Sequence, residues 1–237
     1  MSEREFERVV EEGRALQQLF PDLGLVAVGG TAAALHCHHR ISLDVDGVTP
    51  KLQERYEQIT SALESWEGWT TNRLNPPVLI LGERHGVELG LRQQRRAIPL
   101  QTTKVEGLTV PTKAETLRIK AFLLAERRGT RDYVDVAALA QCLGESASLT
   151  GLSFLNLLYP GGSPQTLISR LAEACEAEPV DLAAIPLSSY KGLKAPFTDW
   201  AFVAAACQRL GRALLKRELS SALPQSLGEG FHSEPAS

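Results

Sequence analysis

The sequence lacks any apolar run approaching a membrane span, and its start, Ser2-Glu3-Arg4-Glu5-Phe6-Glu7-Arg8, lacks the basic-then-apolar order of a signal peptide. A cytoplasmic protein with no membrane association is the expectation. Cysteine is sparse. Cys37, Cys142, Cys175 and Cys207 lie far apart, without the paired spacing that builds zinc sites, and a chain of 237 residues needs no disulfide staples. Reduced, mostly buried thiols follow. Positive charge is not in excess either: the net charge of −3 gives no global pull toward nucleic acid, so any such binding must come from a local basic patch. No internal repeat is present. The length allows one large domain or two small ones, with the apolar content of an ordinary globular protein.

What the sequence does contain is organised around Leu25-Val26-Ala27-Val28-Gly29-Gly30-Thr31-Ala32-Ala33-Ala34-Leu35, followed by Ile41-Ser42-Leu43-Asp44-Val45-Asp46. The first run reads as a short apolar strand ending in two glycines and a threonine, then an alanine-rich helix from about Thr31 to His39. The second alternates, so Ser42, Asp44 and Asp46 leave one face of a strand and Ile41, Leu43 and Val45 the other. Two carboxylates then stand roughly 6.6 Å apart along the backbone, at about 3.3 Å per residue. Like charges repel there, so the pair is costly unless something positive sits between them.

Around this stretch the periodicities predict an amphipathic helix over Glu3 to Phe20, stopped by Pro21, and another over Lys51 to Trp66. Val78 to Leu81 and Val87 to Leu91, separated by Gly82-Glu83-Arg84-His85-Gly86, read as a hairpin, and Leu108 to Val110 as one more short strand. Beyond Pro111 the pattern is helical. Lys113 to Arg128 stops at Gly129, Thr130 caps a helix over Asp132 to Leu143, and Leu152 to Leu158, Pro164 to Ala177 and Thr198 to Leu223 follow. The expected division is an α/β part over 1–111, a helical part over 112–223 and a disordered tail over 224–237, hence an α+β fold.

A phosphate-handling site needs backbone donors for the phosphate oxygens and oxygen ligands for the magnesium that neutralises them. Gly29 and Gly30 permit close backbone approach, the helix opening near Thr31 aims unpaired N–H groups at an anion, and the two acids supply hard ligands. Taken singly, Gly-Gly-Thr is also an ordinary strand-to-helix turn, and Asp-x-Asp a solvated strand face. Together they describe a nucleoside triphosphate and its metal.

These residues resemble the first motif of the AbiEii/AbiGii-type nucleotidyltransferase toxins, members of the polymerase-β-like superfamily: Gly29-Gly30-Thr31, a spacer containing His39-Arg40, then Ser42-Leu43-Asp44-Val45-Asp46. A second segment is similar to that family's lysine-bearing helix and its basic-Asp-x-x-Asp run: Glu115-Thr116-Leu117-Arg118-Ile119-Lys120-Ala121, then Arg127-Arg128-Gly129-Thr130-Arg131-Asp132-Tyr133-Val134-Asp135. The resemblance spans Leu25 to Leu139. It implies a mixed sheet with flanking helices followed by a helical C-terminal part, and transfer of a nucleotidyl group from a nucleoside triphosphate with release of pyrophosphate. It implies Mg2+ or Mn2+ held by Asp44 and Asp46, nucleotide contacts from Gly29, Gly30, Thr31, Ser42 and Lys120, and catalytic roles for Asp44, Asp46, Lys120 and Asp132. Partners implied are tRNA or another RNA as acceptor and a cognate antitoxin, in a toxin-antitoxin or phage-defence setting.

Glu88, the carboxylate inside the Val87 to Leu91 run, is the candidate third metal ligand, or else an exposed strand acid. Lys120 projects from the apolar side of its helix and either snorkels to the rim or meets an anion, with a triphosphate as the favoured one; Asp132 and Asp135, one turn apart, either pair with Lys120 or only favour the start of their own helix. His36, His38, His39 and Cys37 invite a zinc site but lack a second ligand pair, and structural roles are preferred. Arg84, Arg92, Arg95, Arg96, Lys104, Arg118, Arg127, Arg128 and Arg131 form either an RNA groove or a solvated face. Two competing functions stand beside RNA modification: nucleotidyl transfer to a small molecule or protein side chain, and a catalytically idle nucleotide-binding relative.

Overall fold

A computed structural model of the chain describes residues 2–160 and 163–222; the tail expected from 224 lies outside the described residues. The opening helix α1 (Ser2–Leu19) ends just before Pro21, as a proline stop requires, and buries Val9, Val10 and Leu16. Strand β1 (Val26–Val28) runs directly into α2 (Gly29–Cys37), and β2 (Asp44–Thr49) follows. The helix therefore starts two residues earlier than expected. Gly29 adopts a φ of +72°, which lets the chain reverse at the strand end without a spacer. The acid-bearing strand begins at Asp44 rather than Ile41, leaving Ser42 in the approach to it.

After α3 (Tyr56–Glu64) come β3 (Trp69–Asn75), β4 (Leu79–Arg84) and β5 (Val87–Gln93). Strands β4 and β5 form the expected hairpin, but the five-residue loop contracts to His85-Gly86, with φ of +50° and +79°. Positive φ at both turn residues matches the right-handed twist of the flanking strands. The mixed sheet has the order β1-β2-β5-β4-β3, and β2 and β5 are its parallel pair. A separate ribbon pairs β6 (Thr102–Val105) with β7 (Leu108–Pro111).

The helical part comprises α4 (Lys113–Arg127), α5 (Thr130–Leu143), α6 (Glu145–Leu152), α7 (Leu155–Leu158), α8 (Leu167–Glu176) and α9 (Trp200–Ala222). Thr130 is not the cap of α5 but its first residue. The carboxylate of Asp181 does that work, accepting from the Thr130 backbone N–H and from its hydroxyl, both at 2.7 Å. Two apolar cores result, one between the sheet, α1 and α3 around Leu16, Val45, Ile59 and Leu89, the other among the later helices around Leu117, Tyr133, Leu171 and Val203. Helix α2 serves both. Its residues Thr31 to Leu35 are all buried, with Ala32 and Leu35 in the first core and Ala33 in the second. A helix that is apolar all round has to be enclosed, and this one carries the glycine turn between the two cores.

Candidate active site

Val28 lies in register with Asp46, so the turn that leaves β1 emerges beside the acids of β2. A Cβ built on Gly29 would come 3.6 Å from Asp46 Oδ2. No layer of side chains separates bend from acid. Gly30 is required for a different reason: a Cβ there would meet Arg40 Nη2 and Ser42 Oγ, each at 2.6 Å. Opposite Asp46 across the parallel pair stands Gly90, whose absent side chain leaves room for the carboxylate; a Cβ would sit 2.8 Å from Asp46 Oδ1.

Asp44 and Asp46 share a face of β2 while Val45 is buried behind them, and their side chains are 37% and 32% exposed. The Ser42 hydroxyl donates to Asp44 Oδ1 at 2.8 Å, and Arg92 Nε donates to Asp46 Oδ1 at 3.0 Å. Arg131 Nη1 stands 4.0 Å from Asp44 Oδ2. The positive charge expected beside the acids is thus partly supplied by two arginines. The Thr31 hydroxyl, expected to face a triphosphate, donates instead to the backbone carbonyl of Asp44 and ties α2 to β2. Ser42, likewise expected at the nucleotide, is buried and orients Asp44.

Glu88 lies in register with Asp44 and lines a cavity of about 160 Å³ with Asp44, Asp46, Asn72 and Arg92. Among the described residues, however, no three His, Cys, Asp or Glu side chains are grouped closely enough to hold one metal ion. His36 Nε2 bonds the Pro111 carbonyl at 2.8 Å, and His39 Nε2 bonds Asp135 Oδ1 at 2.8 Å. All four cysteines are free thiols; Cys175 and Cys207 are buried as expected, Cys37 is half-buried and Cys142 is exposed.

Lys120 meets an anion, and that anion belongs to the protein. Its Nζ lies 2.6 Å from Asp135 Oδ2 and 3.4 Å from Asp132 Oδ1, with the side chain 3% exposed. Asp135 also accepts from Arg40 Nε at 2.7 Å and Nη2 at 2.9 Å. Burial alone would push its carboxyl up; the charges of Arg40 and Lys120 and the hydrogen bonds from His39 and Arg40 override burial and hold it well below the usual carboxylate range. His39 is lowered as well, but by a different cause. Burial lowers it against the opposing pull of Asp135, so the ring is neutral, donates through Nε2, and leaves Nδ1 without a partner. Asp132 is held by Arg127 Nε and Nη2 at 2.6 and 3.0 Å. This buried network fastens the segment after α2 to α4 and α5. Arg40, which also fills the space under Gly30, is the residue that sequence reasoning passed over.

Above the network a cleft of about 630 Å³ runs along α4. Its charged end holds Gly29, Gly30, Asp44, Asp46, Arg92, Arg127 and Arg131, and Lys120 lines it from below. It is also lined by Ile119, Phe122, Leu123, Leu100 and Tyr159, with the Phe122 and Tyr159 rings stacked 4.4 Å apart. Positions 119, 123 and 127 share a helix face, so Ile119 lies about 12 Å and Leu123 about 6 Å from Arg127 along the axis at 1.5 Å per residue. The basic concentration read from the sequence does not act as one face. Arg84 is paired with Glu12 at 2.6 Å, and Arg96 and Arg118 with Glu115 at 2.6 and 2.9 Å. The signal for Arg92 was present in the strand alternation that aligns it with Glu88 and Gly90.

No family model matches the sequence. Curated proteins match over a limited stretch: the heme uptake protein MmpL11 of Mycobacterium tuberculosis is 32% identical over 99 residues, 37% of this chain and 10% of that protein. The mycolic acid-containing lipids exporter MmpL11 of Mycolicibacterium smegmatis is 28% identical over 129 residues, 50% of this chain and 13% of that protein. The chain thus spans about a tenth of the length of the curated relatives it matches. Among its described residues no helix is long and apolar enough to cross a membrane.

Solved structures match nearly end to end. A proposed nucleotidyltransferase of H. pylori superposes with a TM-score of 0.56 at 17% identity, covering 94% of this chain and 100% of that one. MenT4, a nucleotidyltransferase toxin of Mycobacterium tuberculosis H37Rv, gives 0.54 at 15% identity over 92% and 84% of the two chains. JHP933 from Helicobacter pylori gives 0.52 at 16% identity over 97% and 100%. The fold is that of the nucleotidyltransferases among these structures: a mixed five-stranded sheet with flanking helices.

Proposed function

We propose that this protein is a metal-dependent nucleotidyltransferase that moves a nucleotidyl group from a nucleoside triphosphate to an acceptor hydroxyl, with RNA, tRNA first, as the acceptor. The observation that carries the reading is the abutment of the glycine turn against Asp46, 3.6 Å from the position of a Gly29 Cβ, at one end of a cleft that also carries cationic and aromatic side chains. Backbone donors at a helix start, cations nearby and an aromatic pair in the same cleft suit a triphosphate and its base in turn. Two half-exposed carboxylates, each engaged through Oδ1 by Ser42 or Arg92, fit Mg2+ or Mn2+, which take one or two carboxylates and keep several waters. Asp44 and Asp46 would hold the ion, and Glu88 lines the same cavity. When bound, such an ion lowers the pKa of an acceptor hydroxyl and offsets the charge of departing pyrophosphate.

In this reading the protein contributes position. Gly29 and Gly30 admit the triphosphate to the N–H groups of α2, Thr31 and Ser42 fix the backbone and side chain of Asp44, and Lys120 and Asp132 hold the floor of the cleft. The acceptor hydroxyl gives up its proton to solvent as its oxygen attacks the α-phosphorus, the bond from that phosphorus to the bridging oxygen breaks, and pyrophosphate leaves with the bridging oxygen. The likeness to MenT4 supports a toxin role, and the two sequence motifs support the AbiEii/AbiGii type, which implies a cognate antitoxin. We also propose the division at residue 111, with 1–111 bearing the acids and 112–223 closing the cleft through α4 and α5.

The test is transfer of label from an α-labelled triphosphate to RNA with Mg2+, which Asp44→Ala abolishes. Labelled product from Asp44→Ala refutes the site. RNA binding that weakens steeply with salt separates a polynucleotide acceptor from a small one. The absence of a three-acid group among the described residues favours a second reading, a nucleotide binder without turnover. Saturable nucleotide binding with no labelled product would establish it.

A further inference from the structure

The cations of the cleft differ in what they are paired with. Lys120 is committed to Asp135 and Asp132, Arg127 to Asp132 through two contacts, and Arg96 to Glu115, all of them acids buried beneath the cleft. Arg92 is paired with Asp46 itself, the half-exposed acid beside the glycine turn. Its Cα lies in register with Val48, on the strand face that carries Asp46, and the side chain reaches back along the strand to bring Nε to 3.0 Å from Oδ1. The contact is through Nε alone and the side chain is 45% exposed. A single-point, solvated pair of this kind contributes little and is readily exchanged.

We propose that Arg92 is a resident counter-ion: it neutralises Asp46 until a divalent cation takes that carboxylate, and the released guanidinium then binds the triphosphate. The inference rests on the nucleotidyltransferase reading and deepens it by giving one side chain two successive partners. A cation at Asp46 competes with Arg92 for the charge of one carboxylate and repels the guanidinium, even from Oδ2, the oxygen that Arg92 leaves open toward the glycine turn. The freed side chain stays anchored on β5 at the charged end of the cleft, with Arg95 and Arg127 also lining it. A guanidinium offers the planar fork that phosphate oxygens accept. Metal and triphosphate consequently assist one another, because the metal ends Asp46's hold on Arg92 and the triphosphate draws Arg92 away from Asp46; the assistance is reciprocal by linkage. Arg131, 4.0 Å from Asp44, lacks the hydrogen bond that would make it a competitor of equal weight.

The experiment measures two affinities on the full chain, Mn2+ alone by electron paramagnetic resonance and inorganic tripolyphosphate in chelator by calorimetry, for wild type, Arg92→Gln, Arg92→Lys and Asp46→Asn. Arg92→Gln is expected to bind Mn2+ about two- to tenfold more tightly and tripolyphosphate weaker by a similar factor, the range set by one partly exposed charge. Arg92→Lys returns both values toward wild type. A structural role for Arg92 would lower both affinities or neither, so opposite movement is diagnostic. Unchanged or weaker Mn2+ binding in Arg92→Gln, with Mn2+ still lost in Asp46→Asn, overturns the exchange and leaves the nucleotidyltransferase reading standing. Mn2+ binding that ignores Asp46, or fails in every variant, overturns that reading and the exchange with it.

Discussion

Asp135→Asn should be among the most damaging single substitutions outside the apolar cores. The carboxylate is fully buried and receives Arg40 through Nε at 2.7 Å and Nη2 at 2.9 Å, His39 at 2.8 Å and Lys120 at 2.6 Å. An amide keeps the volume and one acceptor oxygen, but it removes the charge and turns an NH2 toward donors. Arg40 and Lys120 are then buried cations without their common counter-ion, a loss of about 3–5 kcal/mol for a broken buried pair. At about 2–4 °C per kcal/mol for a chain of this size, the midpoint falls by roughly 6–20 °C. Thermal and urea unfolding followed by circular dichroism measure the midpoint and the free energy, with Arg212→Ala, which breaks the exposed pair to Glu176, as the control expected to show no resolvable change. The pH profile gives a second reading. A carboxyl held below its ordinary value contributes stability that is complete above about pH 4 and is lost as pH falls through the folded pKa, so wild type steepens on the acid side and Asp135→Asn does not. A loss under about 1 kcal/mol, with an acid limb as steep as wild type, refutes the assignment of this network as the fastening between α2 and the later helices.

Other outcomes follow from the same geometry. Because burial lowers the His39 pKa, the unfolded chain binds a proton that the native one refuses, so stability should decline as pH falls below about 6.5; a His39→Gln variant with an unchanged slope between pH 7 and 5 would contradict this. Gly30→Ala sets a methyl 2.6 Å from both Arg40 Nη2 and Ser42 Oγ and should cost about 1–3 kcal/mol together with nucleotide binding, whereas a wild-type melting curve would show that the turn has slack. Asp181→Ala removes both bonds to Thr130 and should cost about 1 kcal/mol, the ordinary worth of a helix cap, read as faster hydrogen exchange in the first turn of α5.

Local sequence determined the elements that have a strong period or a special backbone residue. The glycine turn, the facing of Asp44 and Asp46, the hairpin of β4 and β5 and the long helix α4 were all legible, since alternation, helical spacing and glycine punctuation are properties of adjacent residues. Strands β3 and β6 were not. Their stretches, Trp69–Asn75 and Thr102–Val105, are largely exposed and carry no apolar alternation, so only pairing with a neighbour made them strands. Tertiary structure alone chose the partners of the charged groups. Arg40 meets Asp135 across 95 positions, Asp181 caps Thr130 across 51 and Arg92 reaches Asp46 across 46, distances over which no periodicity carries information. The sequence determined which chemistry could gather at the turn. Packing decided which cation neutralises which acid, because a buried or half-buried charge takes the nearest opposite charge that the assembled elements present, wherever in the chain it originates.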